Sequence, residues 1–251
     1  MKSTTEKKNI RLIIAYDGSS FYGWQRQRDK PTIQGTIEEK IAVMVREPVS
    51  LIGAGRTDAG VHALHQVANF RISSSLTPSI FLTALNAQLP PSIVIKAAEY
   101  VPFDFHARYD ARSKVYEYRV LNESMPSPFL TQYVWHIARP LKVALMEECL
   151  RIVEGSHDFS SFCSPGDGKI NPVRNMMRAE LETQREDFLT FAFEANGFLR
   201  HMIRTLMGTL IKVGLGRLSV SDFIEILESR GGQHPGAKAP PSGLYLRDVK
   251  Y

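Results

Sequence analysis

The stretch Gly55-Arg56-Thr57-Asp58-Ala59-Gly60-Val61-His62-Ala63 sets a carboxylate and a guanidinium between glycines, just past a strand-like segment. Glycine permits tight turns and close backbone approach, so Asp58 could be presented to a ligand on a loop. An aspartate of ordinary pKa, about 3.9, is ionised at neutral pH and available as base or nucleophile without a histidine partner. Arg56 nearby would favour that charged form. The same residues also fit a turn with a capping Asp58 and an ion-paired Arg56. A phosphate loop on Gly53-Ala54-Gly55 is disfavoured, because Asp58 stands where a third glycine would be wanted and would set a negative charge against a pyrophosphate. His62 and His65 lack a third ligand partner, which suits a structural or substrate-touching histidine better than a metal site. No Ser/His/Asp order, P-loop or zinc pattern stands out.

Two further stretches suit a polyanion. In Lys114-Val115-Tyr116-Glu117-Tyr118-Arg119, strand alternation would put Lys114, Tyr116 and Tyr118 on one face. Such tyrosines can stack on bases or fill a core with tethered hydroxyls, and the pattern fits both. Arg200 and Arg204 stand four apart near an expected helix start, on one face, as a solvated edge or as a phosphate or carboxylate clamp. Arg108 and Arg112 add cations beside Tyr109, an association that suits phosphates and unstacked bases. The overall balance, 31 Lys plus Arg against 26 Asp plus Glu for a net +5, is compatible with a polyanionic partner without establishing one.

These residues need a scaffold of strands and helices. Asn9–Ala15 alternates around Ile10, Leu12 and Ile14 and stops at the turn signal Tyr16-Asp17-Gly18. Ile33 to Val45 has a helical period, ended by Pro48. Strands are expected at Val49 to Ala54 and His65 to Ile72, then a helix from Pro78 facing inward with Leu82, Leu85 and Leu89, then a strand from Ile93 to Val101. Beyond the boundary at Pro102-Phe103-Asp104, which divides the chain into 1–104 and 105–251, the alternation repeats. Strands are expected at Ser113 to Leu121 and Tyr133 to Ile137, and a helix at Leu141 to Val153 with Leu145, Cys149 and Ile152 inward. Two strands follow, Val173 to Thr183 and Phe188 to Asn196, around a polar Gln184-Arg185-Glu186 turn. Next come a helix at Leu199 to Val213, a shorter one at Asp222 to Leu227 capped by Ser221, and a closing strand at Gly243 to Tyr251. Strands joined both by helices and by hairpins favour an α+β fold with mainly antiparallel sheet.

A length of 251 residues fits one large or two modest domains, at about 100 to 200 residues per domain. Apolar residues at 43% and charged residues at 23% exclude a mostly disordered, collagen-like or coiled-coil chain. No apolar run approaches the roughly 18 residues of a membrane span. The Lys- and Thr-rich start, Met1 to Asn9, has no apolar signal region, so a cytoplasmic location is expected. Cys149 and Cys163 support neither a disulfide framework nor a zinc site.

Seven blocks, in order, resemble the TruA family of tRNA pseudouridine synthases: Tyr16-Asp17-Gly18 with Gly23-Trp24-Gln25; Gly55 to Ala63 followed by Gln66-Val67; Phe105-His106-Ala107-Arg108; Lys114 to Arg119; Gly155-Ser156-His157-Asp158-Phe159; Phe198 to Arg204 with Gly208; and Pro240-Pro241-Ser242-Gly243-Leu244. The resemblance covers nearly the whole chain after Lys8, and the run Arg56 to His62 is its most specific part. It implies conversion of uridine to pseudouridine at positions 38, 39 and 40 in the anticodon stem-loop of tRNAs, without metal or organic cofactor, by a homodimer. It further implies two tandem ferredoxin-like or RRM-like units whose sheets join into one extended sheet, with helices on one side. Carried over by motif, Asp58 is the catalytic aspartate, Tyr116 the tyrosine that stacks on uracil, and Arg204 the partner that pairs with Asp58. Arg56, Arg108, Arg112 and Arg200 become the candidates for holding RNA, and His62 and Leu244 join the substrate-contacting set.

The chemistry fits. Pseudouridine formation breaks the bond from ribose to uracil nitrogen 1 and rejoins the ribose to carbon 5, which needs no redox equivalent. An ionised carboxylate could add to the sugar, add to the base, or take a proton from the 2′ carbon, and all three routes stay open. A base in a stem must leave its stack, so a cationic surface has to supply binding energy. A non-catalytic RRM-like RNA-binding protein would need the aromatic and basic residues but not Asp58.

Overall fold

Strand β1 (Lys8–Tyr16) buries Ile10, Leu12 and Ile14 completely, as its alternating pattern requires. The computed structural model describes residues 7–164, 171–185, 187–233, 235 and 238–251; the tail read at Met1 to Glu6, and Glu186 of the expected polar turn, lie outside them. Helix α1 (Ile33–Val45) is capped by Thr32, whose hydroxyl accepts from Gly35 N at 3.3 Å, and its buried stripe is Ile33, Ile37 and Ile41. Burying each such side chain contributes about 1.5 to 3 kcal/mol.

Strand β2 is only Ile52–Gly53, shorter than expected. The backbone of Leu51 bonds to α1 side chains instead of a strand: its N–H donates to Glu38 Oε1 at 2.8 Å and its carbonyl accepts from Gln34 Nε2 at 3.0 Å. Strand β3 (His62–Ile72) starts earlier than expected, and helix α2 (Pro78–Gln88) turns Phe81 inward in place of Leu82. Phe81 meets Phe70 of β3 edge-on, with ring centroids 5.4 Å apart. With β4 (Ile93–Val101) the order is β4-β1-β3, all antiparallel, and β2 pairs with β3. A register shift between Ile14 and Tyr16 marks the end of β1, the kind of irregularity that re-aims a side chain.

Two buried asparagines tie the segment after β4 to this sheet. Asn9 Nδ2 donates to the carbonyls of Phe105 at 2.9 Å and Pro102 at 3.0 Å, Asn69 Nδ2 donates to Asn9 Oδ1 at 2.9 Å, and Asn69 Oδ1 accepts from Ala107 N at 2.9 Å. Residues 102–107 therefore stay with the first strands. By its contacts the chain forms two units, one made of the described residues up to Arg112 together with Leu246–Tyr251, the other of Ser113–Tyr245.

The second unit contains β5 (Ser113–Leu121), β6 (Trp135–His136), α3 (Val143–Val153), β7 (Gly155–Asp158), β8 (Val173–Arg185), β9 (Phe188–Ala195), α4 (Met202–Gly214) and α5 (Val220–Glu228); β10 (Leu244–Lys250) begins in it and ends in the first. Its strand order is β5-β9-β8-β7, with antiparallel neighbours, and β6 runs parallel to β5. Strand β8 extends through Gln184 and Arg185, two residues expected in the turn.

The inward face of α3 is Met146, Cys149, Leu150 and Val153, rotated from the expected Leu145 and Ile152. Helix α4 starts at Met202 and not at Leu199, because His201 takes a left-handed φ of 62° that breaks the helical run; Ile203, Leu206, Leu210 and Val213 are buried as expected. The cap of α5 is Ser219, not Ser221: its hydroxyl accepts from Asp222 N at 3.0 Å while its own N–H donates to Asp222 Oδ2 at 2.8 Å. The fold is α+β with mainly antiparallel pairing, as the element order predicts. Among the described residues no helix is long and apolar enough to cross a membrane.

Candidate active site

Asp58 stands on the loop between β2 and β3, and this loop is fixed from its two sides. Thr57 carbonyl accepts from Trp24 N at 3.0 Å, Thr57 Oγ1 lies 2.8 Å from the Tyr16 hydroxyl, Gly60 N donates to Phe21 O at 3.3 Å, and Gly55 carbonyl accepts from Gln66 Nε2 at 2.8 Å. Val61 N closes the turn onto Asp58 O at 3.2 Å. Two glycines make this approach possible. A Cβ on Gly18 would sit 2.0 Å from the Val61 carbonyl oxygen; one on Gly23, whose φ is +85°, would sit 2.5 Å from the Thr57 carbonyl oxygen. Thr57 is buried and points inward, while Asp58 is half-buried and Arg56 is exposed. The loop thus hides its threonine and leaves Asp58 part-exposed.

His62 is 2% exposed. Its Nδ1 accepts from Gly18 N at 3.2 Å and lies 3.2 Å from Asp17 Oδ1, which is itself held by Ser19 N at 2.9 Å. The imidazole braces the turn after β1. Arg108 and Arg112, also in this unit, are exposed; Arg108 lies over the Tyr109 ring at 5.9 Å, and Tyr109 stacks on His106 with centroids 4.2 Å apart.

The other candidates belong to the second unit. Tyr116, 7% exposed, meets Phe198 edge-on at 5.0 Å. Tyr118 is fully buried and donates to Pro240 O at 2.7 Å, so the tethered-hydroxyl reading holds for it. Burial pushes its hydroxyl pKa upward, against a smaller opposing pull from the Arg204 charge. Arg204 Nε donates to Ala239 O at 2.8 Å. Arg200 is exposed in the turn before α4, so it does not share a helical face with Arg204 as the spacing predicts. The left-handed His201 lies between them, and Arg200 carbonyl accepts from Ser164 N at 3.2 Å. Leu244 is 6% exposed at the start of β10.

Several participants escaped the residue-type reading. Thr57, Tyr16 and Ala239 act through one hydroxyl or one backbone group, which no composition pattern marks; the sequence shows Tyr16 as part of a turn signal and of a matched block, and Gly23 as part of the same block. Among the described residues no group of three or more His, Cys, Asp or Glu could hold a metal ion.

The first unit supplies a part-exposed aspartate on a pinned loop and the exposed Arg56, Arg108 and Arg112; the second supplies a tyrosine braced by a second ring, a guanidinium bonded through Nε, and the exposed Arg200. A family model described as tRNA pseudouridine synthase matches residues 12–110 and 150–251. Proteins named tRNA pseudouridine synthase A are similar over nearly the full length. That of Acetivibrio thermocellus is 43% identical over 245 residues, spanning 97% of this chain and 100% of the relative. That of Thermoanaerobacter pseudethanolicus is 40% identical over 244 residues, spanning 97% and 100%. That of Methylacidiphilum infernorum is 43% identical over 242 residues, spanning 96% and 94%. The chain, with its aspartate loop inside the matched region, belongs to the tRNA pseudouridine synthase family.

Proposed function

We propose that this protein isomerises uridine to pseudouridine in tRNA, at positions 38, 39 and 40 of the anticodon stem-loop, with Asp58 as the catalytic aspartate. The observation that carries the reading is the Asp58 loop itself: three hydrogen bonds to its backbone and one to the Thr57 hydroxyl hold it to surrounding residues, and Asp58 on it is half-buried. Preorganisation of this kind favours a reacting group that must meet one carbon of a flipped nucleotide. In the reaction the bond from ribose carbon 1′ to uracil nitrogen 1 breaks, the ribose joins carbon 5, carbon 5 gives up its proton, and nitrogen 1 gains one. No atom or electron is left over.

Tyr116 is the ring against which the detached uracil turns, and Arg204 is the partner that pairs with Asp58 in this reading. Arg56, Arg108, Arg112 and Arg200, all exposed, supply phosphate contacts that help draw the base from its stack. His62, bonded to Gly18 N, braces the turn after β1 and belongs in this reading to the substrate-contacting set. Leu244 shapes the apolar surroundings of the base. The working form in this reading is a cytoplasmic homodimer; light scattering on the purified protein tests its two-chain mass.

The deciding experiment uses unmodified tRNA tritiated on carbon 5 of its uridines, with no cofactor added. Wild-type protein releases tritium and Asp58→Ala does not, while both bind tRNA. Tight binding without release by the wild type would point to a non-catalytic RNA-binding protein. Mapping the product identifies which of the three positions is modified.

A further inference from the structure

We infer that Tyr16 is a positioning residue for the reaction: its hydroxyl, 2.8 Å from Thr57 Oγ1, fixes the residue before Asp58 and so sets where the carboxylate points. This rests on the reading of Asp58 as the catalytic residue.

Thr57 is the hinge through which Asp58 could move. Its carbonyl is held by Trp24 N at 3.0 Å, and the Asp58 carbonyl that follows is held by Val61 N at 3.2 Å. The bond to Tyr16 adds an attachment through the Thr57 side chain, which these main-chain contacts do not supply. Main-chain and side-chain attachments together fix the direction in which the Asp58 side chain leaves the loop. Both groups are buried, Tyr16 at 4% exposure and Thr57 at 8%, so water does not compete for either hydroxyl.

The hydroxyl is separable from the ring that carries it. Tyr16 ends β1, opposite Ala63 on one side and Ile93 on the other, and its ring lies 6.1 Å from that of Trp24. Sheet pairing and ring packing set its place whether or not the oxygen is present. Burial also raises the hydroxyl pKa, so the group stays neutral and keeps its proton throughout the assay range. A tyrosine used only to fill space would not need its oxygen opposite the one side-chain oxygen adjacent to Asp58.

The test measures single-turnover tritium release and tRNA affinity for Tyr16→Phe, Thr57→Val, Thr57→Ser, the double variant Tyr16→Phe/Thr57→Val, and Asp58→Ala. Tyr16→Phe and Thr57→Val each slow release by about tenfold to a hundredfold, the loss expected when a reacting group is misplaced by an ångström or less, with affinity held within about twofold. Thr57→Ser, which restores the oxygen, recovers most of what Thr57→Val loses. The double variant is no slower than the worse single one, because both remove the same bond. A merely structural role would lower melting temperature and affinity along with rate, and serine would not rescue it. Wild-type rates in Tyr16→Phe and Thr57→Val alongside an inactive Asp58→Ala overturn the positioning role alone. An active Asp58→Ala overturns the reading of the aspartate, whatever the other variants do.

Discussion

Arg204 and Ala239 hold each other twice: the guanidinium Nε donates to the Ala239 carbonyl at 2.8 Å, and the Ala239 N–H donates to the Arg204 carbonyl at 2.9 Å. The reciprocal pair ties residue 239 to the first turns of α4 by main chain and side chain together. It leaves Nη1 and Nη2 as the part of the guanidinium not used by this latch, and it fixes the plane in which they lie.

Lysine therefore cannot replace this arginine. Its ammonium keeps the charge but has no second nitrogen along the stem to bond the Ala239 carbonyl while the tip points elsewhere. Arg204→Lys is expected to lose about tenfold or more in tritium release with little change in tRNA affinity. A lysine variant as fast as wild type would reduce the role of Arg204 to net charge.

Tyr118 holds the same segment from the sheet. Its hydroxyl donates to Pro240 O at 2.7 Å from a fully buried ring, so Tyr118→Phe removes the donor and leaves a part-buried carbonyl unpaired. The expected loss is about 1 to 3 kcal/mol in denaturant unfolding. Turnover should fall as well, because the strand of chain that orients Arg204 loses one of its anchors. An unchanged unfolding midpoint would show that water takes over the carbonyl.

What the sequence revealed follows from the range of the forces involved. Helix α1 appears at its expected bounds, Ile33–Val45, since Ile33, Ile37 and Ile41 repeat the helical period within the element. Strands β4 and β5 likewise match, being nine residues long and rich in β-branched and aromatic residues. Strand β7 carries no local signal, because Gly-Ser-His-Asp has no apolar alternation and is held by backbone pairing to β8. The face of α3 rotated because Met146 and Leu150 compete with Leu145 and Ile152 on nearly equal hydrophobic terms, and packing decides. In the site, Asp58 is legible from its glycine-flanked setting. The bond from Tyr16 to Thr57 spans 41 residues and that from Tyr118 to Pro240 spans 122, distances at which no local pattern operates.

The exposed arginines make a distinct prediction. Each phosphate contact releases counterions, so its loss flattens the salt dependence of binding. Arg108→Ala and Arg200→Ala should each reduce the slope of log affinity against log salt by about one unit, roughly equally for all tRNA sequences. Filter binding over a series of salt concentrations gives the slope. A variant that weakens binding at a single salt concentration with its slope intact would have acted through the fold and not through a phosphate.

Cys149 gives the protein a weak point in alkali. The thiol is fully buried on α3, and desolvation, assisted by the negative charge of Glu148, pushes its pKa from 9.0 up to about 12. A raised folded pKa means that the unfolded chain loses its proton first as pH rises. Stability is therefore fully present below pH 9 and declines from there until the folded thiol also ionises. Between pH 9 and 10 the loss from this group is about 1 kcal/mol. Tyr16, Tyr118 and Tyr251, also pushed up by burial, add their own losses from their ordinary value of 10.0 onward, so the window just above pH 9 isolates the thiol best. Urea unfolding at both pH values should show this drop in wild type and in Cys163→Ser, while Cys149→Ala starts lower because of its cavity but shows a shallower fall. An equally steep fall in Cys149→Ala would assign the alkaline sensitivity to the tyrosines instead.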